Sequence, residues 1–284
     1  ALGPRTQREA VGQEAAACLS EKGFCVMRLI QSPAPLRAAV DLLRGLDEQG
    51  KLGRLAQEVE EGNLGAGGRA KALWLDPDGG DDLGALGQLD RQLTGVAQAI
   101  MGHLVDVLEC PLVDRTPALA CVSMSDADEA EYDAPSATDE ELTAYYETWY
   151  RSAVRLVHVL GPARGAVTLK AKNNSPIDGP QSEYRIVAGA NTLILVREGA
   201  LECTFEEPDE GEAAWLQCFL LQPGPSFQLD GELSGDLSLL ASKAAGPPPP
   251  GADQVSVVAL GIQCAANMYD HHKEWATYMA GTDG

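Results

Sequence analysis

Seven short apolar runs follow one another through the chain, at residues 118–124, 153–160, 166–171, 183–188, 192–196, 201–205 and 214–221. Turn residues bound each of them, and Val, Leu, Ile and aromatic residues fill most of them, which is the pattern of β-strands. So many short strands with little helix between them predict a β-sandwich or barrel. Whatever precedes Pro111 must then pack on the outside of that β unit.

The preceding residues supply the helices. Residues 5–22 alternate polar and Ala-rich positions at helical spacing, and "GFCVMRLI" (23–30) reads as a strand. "SPAPLRAAVDLLRGLDEQG" has a Ser/Pro start, an amphipathic repeat and a Gly stop. Residues 58–72 read as a Gly-rich loop, and residues 81–108 as one long amphipathic helix with an acidic first turn suited to the helix dipole. Within the strand region, "TDEELTAYYETWY" predicts a short helix capped by Thr138 or Asp139. Its cluster of Tyr145, Tyr146, Trp149 and Tyr150 reads as core or interface packing.

Residues 222–250 lack periodicity and end in "GPPPPG", a stiff polyproline spacer. The expected organisation is a main domain over 1–222, a Pro-rich linker over 223–250 and a C-terminal arm over 251–284. The arm holds the strand "QVSVVALGIQC" and a short helix with His271, His272 and Trp275.

Charge narrows the partners. Acidic residues number 42 against 21 basic, a net charge of −21, which repels nucleic acid and acidic membrane surfaces. No apolar run reaches the roughly 18 residues of a transmembrane helix. Seven cysteines at wide spacing, with no C-x-x-C, argue against a disulfide framework or a zinc site. They read mostly as small core residues in a reducing compartment.

The strands carry a resemblance. "ALACVSMSDADEAEYDAP", "VRLVHVLGP", "AVTLKAK", "VAGANTLILVREGALECTFEEP" and "AAWLQCFLLQP" resemble, in order, the core strands of prolyl-4-hydroxylase-like Fe(II)/2-oxoglutarate oxygenases. The resemblance covers about residues 20–222 and rests on shape and order. It implies a double-stranded β-helix (jelly roll) with N-terminal helices outside, and with the C-terminal strand-helix arm read above the expected fold class is α+β. That family needs two histidines and one carboxylate on one face of an iron. In "EYDAP" the first pair of ligands falls on Glu131 and Asp133, or on Tyr132 and Ala134 if the register slips by one. Cys203 occupies the distal histidine position, and Ala213 or Ala214 falls where a basic residue binds the co-substrate. His103, His158, His271 and His272 are the four histidines, and the only H-x-[DE] is His272-Lys273-Glu274. Nine acidic and no basic residues lie between Ser123 and Tyr150, so Glu131 and Asp133 also read as part of a solvated acidic loop.

Three further stretches carry motif-like patterns. "VSVVALGIQCAANMYDHHKEWATYMAGTDG" resembles the first residues of a β-ketoacyl synthase, with Gly261, Cys264, Trp275, Gly281 and Asp283 keeping the frame. "EVEEGNLGAGG" is similar to the E-x-x-G-Y-L-G motif ahead of the ketosynthase in algal (dinoflagellate-type) type I polyketide synthases, with Asn63 in place of Tyr and Val59 where Glu is expected. Gly65-x-Gly67-x-x-Ala70 is close to a dinucleotide fingerprint but follows a polar stretch, so it reads as a turn. No G-x-S-x-G is present.

These readings predict a non-catalytic structural subunit on an inactivated oxygenase fold, with no cofactor, no bound metal and no catalytic residue. Glu131, Asp133 and Cys203 would be vestigial positions. Its partners would be other proteins of a large assembly, in a plastid or otherwise in the cytoplasm, docked in part by the C-terminal arm. The alternatives are an N-terminal module of a polyketide synthase and a metal-dependent oxygenase with atypical ligands.

Overall fold

The computed structural model describes residues 5–75, 83–125, 128–129, 134–173, 175–177, 183–208 and 211–224. The linker and arm over 225–284, and with them Cys264, His271 and His272, lie outside the described residues.

The chain opens with α1 (Arg5–Glu21), β1 (Phe24–Arg28) and α2 (Pro33–Glu48). Ser32 caps α2 by accepting from Ala34 N, with Pro33 at the first helical position, where its missing N–H costs nothing. Next come β2 (Gly53–Arg54), α3 (Gln57–Leu64), β3 (Ala70–Trp74), α4 (Gly84–Ile100) and α5 (Val105–Leu108). Then follow β4 (Asp114–Arg115), β5 (Leu119–Ser123) and α6 (Asp139–Arg151). The chain continues through β6 (Ser152–Pro162), β7 (Gly165–Ala171), β8 (Glu183–Ala188), β9 (Thr192–Arg197), β10 (Leu201–Glu206) and β11 (Ala213–Leu221). Thr138 caps α6 in a full capping box: its Oγ1 accepts from Glu141 N, and Glu141 Oε2 accepts from Thr138 N.

All pairing is antiparallel. The larger sheet runs β1-β9-β6-β11-β5-β3-β2, with β4 also on β11, and the smaller runs β10-β7-β8. The outer face of the larger sheet packs on α1, α2 and α4, where Leu36, Leu43, Leu89 and Leu93 meet Leu156, Leu195 and Leu216. The inner face packs on the smaller sheet, where Val157, Ile194 and Trp215 meet Leu169, Cys203 and Phe205. A strand covered on both faces reads as a continuous apolar run, which is why β9 and β11 show no alternation. The smaller sheet has one wet face, so β10 alternates: Leu201, Cys203 and Phe205 are buried while Glu202 is exposed.

All seven strand readings hold, and helices form as expected over Arg5–Glu21, Pro33–Glu48 and Asp139–Arg151. Two expectations fail. Residues 58–72 are not a loop: they contain most of α3 and part of β3, which pairs with β5 and β2. The long helix ends at Ile100, and His103 sits in a tight 3-10 turn before α5. The first turn of α4 holds no acidic residue, and Asp81 and Asp82 lie outside the described residues. No described helix is long and apolar enough to cross a membrane.

Candidate functional site

The pleat of β10 turns Cys203 into the space between the two sheets. Its partner across the ladder is Leu169 on β7, and Val157, Val196 and Leu64 belong to the same packed cluster. One pleat along, the ring of Phe205 stacks on Trp215 with centroids 4.6 Å apart and planes at 11°. Cys203 is only 4% exposed. Burial pushes its thiol up to about 12, against the pull of Arg155 and with a further push from Glu198. At neutral pH it is a protonated thiol in an apolar setting, whereas metals are bound by the thiolate.

The other positions implied by the oxygenase resemblance are described only in part. Glu131 and Asp133 lie outside the described residues. His158 projects to the opposite, helix-packed face of the larger sheet, with Leu156 and Leu160 on either side along the pleat. It is wholly buried, as a core histidine, and burial holds its ring down at about 4. His103 lies against Gly12 of α1. Among the described residues, no three His, Cys, Asp or Glu side chains lie close enough to hold one metal ion. Ala213 and Ala214, the positions where the resemblance implies a basic residue, are buried in β11 and offer only methyl groups. Cys203, Ala213 and Ala214 bring neither an imidazole nor a basic group to this space.

A cation does sit between the sheets, on β6. Arg155 is 3% exposed, and each nitrogen of its guanidinium is engaged. Nε donates to Glu198 Oε1 at 2.6 Å, Nη1 to the Asn63 carbonyl at 2.6 Å and Nη2 to the Gly62 carbonyl at 2.9 Å. The guanidinium lies over the ring of Phe219, 4.8 Å from its centroid. Burial works against the charge, but Glu198 and the neighbouring thiol and hydroxyl groups outweigh it, and the pKa is raised above the ordinary arginine value. Gln217 Nε2 also donates to the Asn63 carbonyl. The last carbonyls of α3 are thus satisfied by a cation and an amide, the partners a helix C-terminus calls for. The signal in the sequence was a charged residue inside the apolar run "VRLVHVL".

The turn after α3 completes this wall. Gly65 has φ 84° and ψ 171°, and it lies against the backbone of Cys203 and Thr204 on β10. A Cβ there would stand 2.3 Å from the Cys203 carbonyl oxygen. The near-fingerprint Gly65-x-Gly67-x-x-Ala70 follows a helix and opens a strand, the reverse of a dinucleotide turn, as its reading as a turn requires.

A separate cleft of about 520 Å³ opens between α3 and α6. Glu141, Ala144, Tyr145, Thr148, Trp149 and Ser152 face it, a stripe at helical spacing. Across it stand Val59 and Gly62 of α3, and Trp74, Pro117 and Phe219 line it as well. The Tyr145 hydroxyl touches Gly62 so closely that a Cβ there would fall 1.6 Å from it. Burial, then Tyr146, pushes the Tyr145 hydroxyl up to about 12, so it stays protonated. The aromatic cluster is therefore not core packing: no residue of α6 is fully buried, and Trp149 and Trp74 are 48% and 45% exposed.

No protein-family model matches the sequence, and no curated protein matches it. Solved structures do. A Pseudomonas putida prolyl-4-hydroxylase aligns at 15% identity over 74% of this chain and 98% of its own, with a TM-score of 0.50. A Trichoplax adhaerens prolyl hydroxylase, solved with a hypoxia-inducible-factor peptide, aligns at 14% identity over 76% of this chain and 91% of its own, with a TM-score of 0.53. The fold is that of these oxygenases, an α+β double-stranded β-helix. At such identity the likeness establishes the fold alone.

Proposed function

We propose that this chain is a non-catalytic, protein-binding subunit on an oxygenase fold, with Glu131, Asp133 and Cys203 as vestigial positions. The packing around Cys203 carries this reading. Leu169, Leu64 and the Phe205–Trp215 stack occupy the inter-sheet space, and the cation there is already bound by Glu198 and two backbone carbonyls. Rebuilding a co-substrate pocket would strand the Glu198 carboxylate in a buried site, at a cost of several kcal/mol. The charge of −21 and the uncovered stripe of α6 fit a surface kept for association. The C-terminal arm, with its apolar run 254–264, would contribute to docking on partners.

The deciding experiment is metal analysis of the purified protein with a 2-oxoglutarate turnover assay under added Fe(II). The expected result is sub-stoichiometric iron and no succinate above the no-enzyme control. Stoichiometric iron with co-substrate consumption would overturn the proposal in favour of an oxygenase with atypical ligands. A second reading, an N-terminal module of a polyketide synthase, is favoured by the ketosynthase-like residues 255–284. Recovery of a native transcript that runs on into a complete ketosynthase would select it.

A further inference from the structure

We propose that the cleft between α3 and α6 docks a basic amphipathic segment of a partner protein, with its apolar side chains between Trp74 and Trp149. This rests on the reading of the chain as a protein-binding subunit and specifies the surface and the chemistry of its occupant.

Two observations carry the inference. The first is the apolar stripe. α6 is a 13-residue amphipathic helix with no fully buried residue. A helix normally owes its stability in a protein to the burial of one face. Here Ala144, Tyr145 and Trp149 face an open cleft. Its volume of about 520 Å³ suits a few large side chains, and its polar groups are mainly hydroxyls and the Asn63 amide. Aromatic anchors flanking a desolvated pocket are what a binding hot spot requires.

The second observation is the charge of the walls. α3 carries Glu58, Glu60 and Glu61 and no basic residue. α6 carries Asp139, Glu140, Glu141 and Glu147 against Arg151 alone. Glu60 is spent on Arg54, but Glu61, Glu140 and Glu147 are exposed. A segment with lysines or arginines beside its apolar face is attracted to this rim. A second copy of the chain brings the same carboxylates and is repelled. The occupant is therefore basic and amphipathic, laid along the groove between two helices.

The probe is a labelled peptide of about 14 residues, matching the length of α6, with Leu and Trp on one helical face and Lys on the other. Its control is a scrambled isomer of the same composition and charge. The readout is fluorescence anisotropy with the full chain. The patterned peptide should bind one to one and about tenfold tighter than the isomer. Trp149→Ala and Ala144→Arg should each raise its Kd about tenfold. Both positions are exposed, so the thermal midpoint should stay close to that of the unaltered protein. Raising salt from about 50 to about 300 mM should weaken binding several-fold. Equal affinity for the two peptides would overturn the proposal, because it would mean only unspecific attraction to an acidic surface. So would an unchanged Kd in both variants, or a dimer in sedimentation that Trp149→Ala dissolves. Iron-dependent turnover in the assay above would defeat the non-catalytic reading and leave the peptide result standing. Failure of the patterned peptide to bind would overturn the docking proposal and leave that assay untouched.

Discussion

Arg155 Nε and Glu198 Oε1 lie 2.6 Å apart between two β-sheets, with side chains 3% and 11% exposed. The pair ties β6 to the end of β9, and its other hydrogen bonds tie both to α3. Removing one partner strands the other. Arg155→Met should lower the urea-unfolding free energy by about 4 kcal/mol, because it leaves the buried Glu198 carboxylate and the Gly62 carbonyl without their donor, while Gln217 still serves the Asn63 carbonyl. Adding Glu198→Gln should restore part of the loss. A cost below about 1 kcal/mol for Arg155→Met would show that the network is dispensable.

Gly65 and Gly67 both have positive φ, at 84° and 72°, but their surroundings differ. A Cβ on Gly65 would meet the Cys203 carbonyl oxygen and Thr204 Cα at 2.3 and 2.5 Å, whereas nothing lies within 4 Å of one on Gly67. Gly67→Ala should cost about 1 kcal/mol of backbone strain. Gly65→Ala should cost about 3 kcal/mol, because strain and a clash with backbone add. Similar thermal midpoints for the two variants would contradict the close approach of this turn to β10.

The same turn shows where the sequence was legible and where it was not. The seven strands announce themselves because each is a local run bounded by turn residues, and the fold class follows from their number. α3 and β3 do not, because Gly62, Gly65, Gly67 and Gly68 outweigh local propensity. What holds these elements is distant in sequence: Arg155 and Gln217 on the carbonyls of α3, and the β5 ladder on β3. The aromatic stripe of α6 is visible as a period, but no local pattern says whether core or cleft faces it. Cys203 could be placed in its strand from sequence, while the apolar wall around it comes from four other elements.

Cys203 should be slow to react. It is 4% exposed, and burial raises its thiol to about 12. Cys121 and Cys218 are buried as well, and burial pushes both thiols up, Cys218 to about 11, whereas Cys18 and Cys110 are partly exposed. Brief treatment of the native protein with iodoacetamide at pH 8, read by peptide mass mapping, should modify Cys18 and Cys110 well before Cys203. Urea should equalise them. Early modification of Cys203 in the native state would mean that a solvent-filled site opens at that position.

His158 should make the protein lose stability in mild acid. Its ring is wholly buried on the helix-packed face of the larger sheet, and neither nitrogen has a hydrogen-bond partner among the described residues. Burial lowers its pKa from 6.5 to about 4. Between those values the unfolded chain binds a proton that the folded chain refuses. The stabilisation held by the neutral ring is therefore complete above about pH 6.5 and is lost as the pH falls toward 4, on the order of 3 kcal/mol in all. Carboxylates held low, such as Glu206, where hydrogen bonds from Thr168 and then Arg185 outweigh its burial, add their own loss in acid. A difference measurement separates the two. His158→Leu keeps a similar volume and removes both unpaired nitrogens, so it should be at least as stable as the unaltered protein at pH 7. Its urea-unfolding free energy should then fall less steeply between pH 6.5 and 4. If the two proteins lose stability in parallel across that window, His158 is already protonated in the fold, and its place among leucines would need a partner outside the described residues.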